Sequence, residues 1–403
     1  MKLRLLLFLA LAALARGEGE LTVDQALELA MRQNPAVQAI YRQVDMSEAE
    51  KDQASLLVNP VFSASVGFPD QAGSQNRTEF ALSWNLLDLL RRSDREELAS
   101  TRVRQARLQM EDSLLELIFE VREAYYELQE KGQSIEQLEI VLQAARAATE
   151  LHKRQFEAGN IPKVALAQQE AAELEARIAL EQAGYQLEQA RARLNVLLGQ
   201  PSVDPVKVPR LAELPETETA LEGLEELALK QRPDLALAAL EVEADRQELN
   251  LASGGLLDEV SFGVVRETES EVGAPTVTGP ELQFPVPLFD RRQGQTAHFR
   301  FKTEQSQRLL ESRQQKIRAE VRIAASQLTA ARLKVERLRD QMIPKRREIL
   351  LLSRPYFDSM LLGVYPLLQL RQDLARTRLE LLEAIAHYWT ARARLERALG
   401  GRL

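Results

Sequence analysis

The side chains that could do chemistry in this chain are few and scattered. The three histidines, His152, His298 and His387, stand singly with no ligand spacing between them, so each is expected to be a surface or interface residue rather than a metal ligand. The sequence contains no cysteine, which excludes disulfides, thiolate ligands, Cys nucleophiles and a lipid-modified Cys. A Gly-x-x-x-x-Gly-Lys phosphate loop and a Gly-x-Ser-x-Gly nucleophile elbow are both missing, and the pair Gly254-Gly255 has no such context. The residues therefore predict no enzyme, no cofactor and no metal site. Carboxylates are plentiful, but on helix-forming sequence they are solvated by default. Glu157 and Asp358 differ in position, since each lies just before a turn where copies of the chain would converge around an axis. A ring of like charge there could hold or select at an entrance; exposed acids at helix ends are the plainer reading.

The elements that position these residues occur twice. Residues 21–35 (LTVDQALELAMRQNP) match 219–233 (TALEGLEELALKQRP), 84–92 (WNLLDLLRR) match 284–292 (FPVPLFDRR), and 190–199 (ARARLNVLLG) match 391–400 (ARARLERALG). The offset stays at about 200 residues, so one unit was duplicated and each half is to be read against the other. The expected repeats are 16–200 and 216–403, joined by a proline-rich linker at 201–215 with Pro201, Pro205, Pro209 and Pro215, which reads as an extended segment lying along a helical body.

Charged residues make up 28% of the chain and aromatics 5%, the profile of long amphipathic helices. Lys2 and Arg4 precede an apolar run at 5–14, and Ala13-Leu14-Ala15 supplies small residues for cleavage, so 1–15 reads as a secretory signal peptide. No other window has 18 consecutive apolar residues, so a membrane would have to be crossed by strands. The net charge of −8 excludes a general attraction to nucleic acid or to anionic lipid.

Two stretches in each copy alternate with period two. In the first hairpin, 61–86, Phe62, Ala64, Val66 and Phe68 share one face against Ser63, Ser65 and Gly67; Phe80, Leu82, Trp84 and Leu86 then oppose Glu79, Ala81, Ser83 and Asn85. In the second, about 259–288, Val260, Phe262 and Val264 alternate with Ser261 and Gly263, and Leu282, Phe284 and Val286 with Glu281 and Gln283. With no covering layer in reach, the apolar faces are expected to meet lipid and the polar faces a wet lumen. Phe62, Val66, Phe80, Leu82, Trp84, Phe262, Leu282 and Phe284 are the expected lipid-facing residues. Four strands cannot close a barrel and an open edge in lipid is costly. The barrel must be shared: two chains would give about eight strands with a filled interior, three would leave room for a channel.

Helical periodicity follows each hairpin, over about 88–158 and 291–359. The first stretch would extend ~105 Å, several times the depth of a bilayer core. Leu114, Leu117, Val121, Ala124, Leu128, Ile135, Leu138, Leu142 and Ala145 keep a three-four spacing, a heptad seam against long neighbours. Pro344 should kink the second long helix. Gly159-Asn160-Ile161-Pro162 and Gly363-Val364-Tyr365-Pro366 read as tip turns, with glycine past a helix end and proline at the start of return helices at about 162–198 and 366–399. The tips align at one offset and the Phe156/Phe357 and Gln168/Gln369 pairs beside them at another, so the two turns are expected to differ locally.

This arrangement resembles the TolC family of outer membrane efflux proteins over essentially the whole length after the first 15 residues. The matching elements are the opening LTVDQALELAMRQNP, the junction FPVPLFDRR, and MLLGVYPLLQLRQDLARTRLELLEAIAHYWTARARLERALGG at the second tip and return helix. The resemblance implies a mainly α chain with a small transmembrane β part. It implies a homotrimer with a 12-stranded barrel in outer membrane lipid and an α-helical tunnel through the periplasm. It also implies a periplasmic adaptor that meets the tip residues, and an inner membrane pump of the resistance-nodulation-division type. Some members carry an acidic pair on the return helix after the second tip; Gln369 and Gln372 stand at the matching distances here, with Asp373 adjacent, which weakens the case for a cation-selective ring. The wording of the second tip and C-terminal segment is nearest to the heavy-metal branch. The alternative reading is a soluble periplasmic coiled-coil adaptor or scaffold, which would normally carry one helical hairpin flanked by β-rich domains rather than two.

Overall fold

The computed structural model describes residues 20–68, 76–85, 88–200, 207–216, 223–254, 260–269, 276–286, 288–359 and 361–401. The expected export segment 1–15, the loop 69–75, Leu86, Gly255, Pro201 and Pro205 lie outside these residues. The chain packs as two compact bodies, one drawn from 1–38, 114–228 and 319–403, the other from 39–113 and 229–318.

The first body is helical. It holds α1 (Val23–Gln33), the distal part of α3 (Asp88–Glu157), and α4 (Lys163–Leu197), with most of α5 (Leu224–Gln231). From the second copy it holds the distal part of α7 (Gln293–Glu336), a π-helical segment Arg337–Met342, α8 (Ile343–Asp358) and α9 (Val364–Leu399). Helix α1 starts because Thr22 caps it: the Thr22 hydroxyl accepts from the Gln25 amide and the Gln25 side chain accepts from the Thr22 amide, a reciprocal capping box. Asn34 then ends α1, its Oδ1 accepting from Ala36 N and its Nδ2 donating to Leu197 O, which ties the first turn of the copy to its last.

The seam read from the sequence is the core of this body. Leu117, Val121, Ala124, Leu128, Leu142 and Ala145 are buried, while Ile135 and Leu138 are half-buried where Ser134 takes the inward position. On the partner helices burial recurs at heptad intervals: Gln169, Ala176, Ala183 and Ala190 on α4, and Val321, Leu328 and Val335 on α7. Alanine at these positions lets backbones approach closely. Each buried Leu or Val removes apolar surface from water, worth about 1.5–3 kcal/mol.

The described part of the linker, 207–216, is extended and held by side chains from both copies. Gln129 donates to Pro209 O (2.7 Å), Trp389 to Ala212 O (2.9 Å), and Arg332 to Pro215 O and Glu216 O (3.2 and 3.0 Å). Buried carbonyls need partners: Leu21 N donates to Lys207 O (2.8 Å), and these side chains serve the carbonyls that follow.

The second body holds most of α2 (Pro35–Ala54), α6 (Pro233–Gly254), the proximal parts of α3 and α7, and one sheet. The strands β1 (Val61–Gly67), β2 (Arg77–Trp84), β3 (Ser261–Glu269) and β4 (Val277–Gln283) pair in sequence order, all antiparallel. The central pairing joins the two copies through Trp84↔Phe262 and Leu82↔Val264. Arg102 and Lys302, at corresponding positions of the two copies, both bind Glu248 (2.8 and 2.7 Å).

Candidate functional sites: the sheet faces and the helical tips

The sheet places the expected lipid-facing residues together. The register sets Phe62 opposite Leu82, Leu82 opposite Val264, Trp84 opposite Phe262 and Phe262 opposite Leu282, so these side chains share one face. Phe62 and Phe80 stack with centroids 6.1 Å apart, and Trp84 Nε1 donates to Val58 O at 2.8 Å. Every one of them is exposed, as is Val66. The polar face is sheltered only at its centre: Ala81 and Gly263 are buried and Ser83, Glu267 and Glu281 half-buried, while Ser63, Ser65, Gly67, Glu79 and Gln283 are exposed. Gly263 is required there, because a Cβ would come within 2.8 Å of Leu82 O. A sheet of a water-soluble protein hides its aromatic side; this one leaves it uncovered. Phe284 lies just past the last paired residue of β4 rather than within the strand. The outer edges of β1 and β4 have no strand partner among the described residues.

The first tip is a Schellman turn. Gly159 has φ 75°, its amide donates to Phe156 O (2.9 Å), and Asn160 N donates to Gln155 O (2.8 Å), which are the two bonds that satisfy the last carbonyls of α3. Pro162 then caps α4 in an extended conformation.

The second tip corrects the reading of Gly363. It is not the glycine past a helix end: it is the N-cap of α9, with φ −69° and ψ 163°, a conformation open to any residue. Its counterpart is therefore Pro162, the N-cap of α4, and the likeness of the two Gly-x-x-Pro strings is coincidental. Helix α9 begins at Val364 rather than near 366, and Pro366 sits in its first turn, where a missing N–H costs nothing. Helix α8 ends with Ser359 N donating to Pro355 O and with Leu361 N and Leu362 N both donating to Tyr356 O.

Glu157 and Asp358 are exposed at the ends of α3 and α8. Gly159, Asn160, Pro162, Gly363, Tyr365 and Pro366 are also exposed and Ile161 is half-buried. On α9 Gln369 is exposed, Gln372 half-buried, and Asp373 is bound to Arg346 of α8 at 2.9 Å, so its charge is spent inside the hairpin. His152 is buried, its Nδ1 2.9 Å from Ala148 O, and its ring meets Tyr365 edge-on at 6.2 Å, a contact between the two tips that spacing did not announce. Pro344 acts on its helix as a π-helical segment immediately before it: the proline offers no N–H to the carbonyl four residues back, and the ladder widens.

Sequence reasoning also missed Arg91, whose guanidinium donates to Leu251 O (2.5 Å) near the end of α6 and leaves no room for a Cβ at Gly254. Burial, the nearby Tyr126 and the carboxylates of Glu20 and Asp24 push the Tyr125 hydroxyl far above its ordinary range; it donates to Leu21 O. Among the described residues no three His, Asp or Glu side chains converge to hold a metal ion, and no helix is long and apolar enough to cross a membrane.

A family profile described as outer membrane efflux protein matches residues 26–200 and 224–401, one match for each copy. The cobalt-zinc-cadmium resistance protein CzcC of Cupriavidus metallidurans is 24% identical, over 95% of this chain and 90% of its own. In three dimensions the chain is similar to CusC, with TM-score 0.75 at 18% identity over 96% of both chains. It is similar also to the Campylobacter jejuni CmeC outer membrane channel, with TM-score 0.79 at 14% identity over 97% of this chain and 90% of that one.

Proposed function

The chain belongs to the outer membrane efflux protein family and is an outer membrane efflux channel rather than an enzyme, and from that premise we propose that it is the exit duct of a tripartite system expelling divalent transition metal ions. Three copies complete a twelve-stranded barrel, each contributing the sheet β1–β4. The observation that carries this reading is that sheet: among the described residues, four strands with an exposed apolar face and no strand paired to either outer edge. Eight strands from two copies would fill their interior with side chains, whereas twelve leave a water path.

The helical hairpins continue the path into the periplasm, where the tips 159–162 and 363–366 receive the adaptor and an inner membrane pump of the resistance-nodulation-division type delivers the ions. Glu157 and Asp358 face the entrance, with Gln369 and Gln372 deeper on α9. Metal as cargo is supported by the similarity to a cobalt-zinc-cadmium resistance protein. A duct needs no resident metal site, because selection takes place in the pump. Opening is a shift between two packings of the tip helices, biased by the adaptor. Fractionation with chemical crosslinking and a growth assay test the reading together. Trimers in the outer membrane, and loss of cobalt, zinc and cadmium tolerance on deletion, are expected. A soluble periplasmic monomer would overturn the channel, and unchanged metal tolerance would overturn the cargo.

A further inference from the structure

The two halves of the chain keep step as far as the π-helical segment and then differ by one residue. Val121, Leu128 and Leu138 answer to Val321, Leu328 and Leu338, each pair 200 apart. Beyond it the pairs are 201 apart: Leu142 with Ile343, Phe156 with Phe357, Gln168 with Gln369. The seam shows the same change, with spacings of 7 and 7 through Leu128, Ile135 and Leu142 but 7 and 8 through Leu328, Val335 and Ile343. The extra residue thus falls within Arg337–Met342, where the Ile343 amide reaches back to Leu338 O, five residues away rather than four. A π-turn takes up one inserted residue without rotating the seam out of the core. Pro344, having no N–H, cannot draw the ladder tight again. The first half has neither device, since α3 is unbroken and Gln143 stands at the position of Pro344.

Past this point the two hairpins are held unequally. In the first, Ala145, Ala148, Thr149 and His152 are buried, and Gln169 of α4 donates to Ala145 O (3.4 Å). In the second, the counterparts of Ala145, Ala148 and His152 are half-buried Arg346, exposed Ile349 and half-buried Ser353. Among the described residues none from 344 to 373 is buried. The Arg346–Asp373 pair joins α8 to α9 there, partly in solvent. A segment with so few buried apolar contacts belongs to the low-stability end of a fold. It is the part that moves at least cost.

We propose that the one-residue insertion at 337–342 is a pivot, on which the distal part of the second hairpin, 343–373, swings while the first hairpin stands fixed. Bending at a π-turn exchanges hydrogen bonds between carbonyls four and five residues back, so the swing strands no amide. A few residues that absorb the change while their flanks stay rigid are what a hinge requires. This rests on the channel reading above and names the element that moves in it.

The absence of cysteine permits single-site spin labelling. Leu351→Cys on α8 and Glu150→Cys, its exposed counterpart on α3, are each labelled in detergent-solubilised trimers, and distances between labels on different chains are measured by pulsed dipolar spectroscopy. The distribution at 351 is expected to be about twofold broader than at 150, or more. Deletion of Asp340, whose side chain pairs with the adjacent Arg339, restores the spacing of the first half. It should narrow the distribution at 351 to the width at 150, with trimer yield and thermal midpoint retained. Should the deletion variant not assemble, Pro344→Gln takes its place: it supplies the missing amide without changing the count, and should narrow the distribution part-way. Equal widths at 351 and 150 in the native sequence, or a width at 351 that the variant leaves unreduced, overturn the pivot and leave the channel standing. No dipolar distance at either position means no oligomer, which removes the channel reading and the pivot with it.

Discussion

The two helical hairpins descend from one sequence and solve the same problem differently. In the first, α3 runs 70 residues without interruption and turns on a left-handed glycine. In the second, the long helix is broken into α7, a π-helical segment and α8, and its turn is followed by Gly363 in an ordinary extended conformation. Packing constrained both copies to keep the buried seam, since Leu128 and Leu328 are equally hidden, while the turn and the backbone ladder were free to diverge. A heptad seam thus tolerates a local change of helical pitch, so long as the inward side chains on either side of it still meet their neighbours.

The seams are the place to test whether the copies carry equal weight. Leu128→Ala and Leu328→Ala should each cost about 2–5 kcal/mol, read as a lowered thermal midpoint of the detergent-solubilised trimer; a loss confined to one copy would show the other seam to be redundant. On the sheet, Phe62→Arg and Phe262→Arg should cost about 2–4 kcal/mol near the bilayer midplane, with trimer yield in membranes falling in both. At the tips the comparison is sharpest. Gly159→Val forces a β-branched residue to φ 75° and should cost about 1–2 kcal/mol and impair efflux, whereas Gly363→Val should be close to neutral in stability. Equal damage at both would restore the equivalence of the two glycines.

The smallest expected effect concerns Glu248, which holds one cation from each copy. Burial raises its pKa, but hydrogen bonds and charge from Lys302 and Arg102 outweigh that and leave the carboxyl below the ordinary glutamate value. Its stabilising contribution is then present above the unfolded pKa and lost as pH falls through the folded one. Glu248→Gln should lower stability at neutral pH and flatten its decline on acidification; an unchanged acid profile would show that the pairing contributes nothing.

The strands, the seam and the long helices were legible because each repeats a short period, and a period of two or seven leaves one face with no other destination. Gly363 was misread because four letters, Gly-x-x-Pro, say nothing about which backbone angle the glycine adopts; the offset of the flanking Phe156 and Phe357 was the better guide. Arg91, Trp389 and the His152–Tyr365 contact involve partners remote in sequence, and no local pattern marks them. That Asp373 would be neutralised by Arg346 depends on how the two helices of a hairpin face each other, which spacing along one helix does not reveal.

The proline-rich strip 207–216 is held at several of its carbonyls, which leaves it little slack to give. Gln129, Trp389 and Arg332 grip it, so it ties the helices bearing them together at that level, as a hoop ties staves. On the proposed opening, a widening of the tips would have to be absorbed between hoop and tip. In the second copy that interval contains the π-helical segment, where the backbone ladder is already loosened.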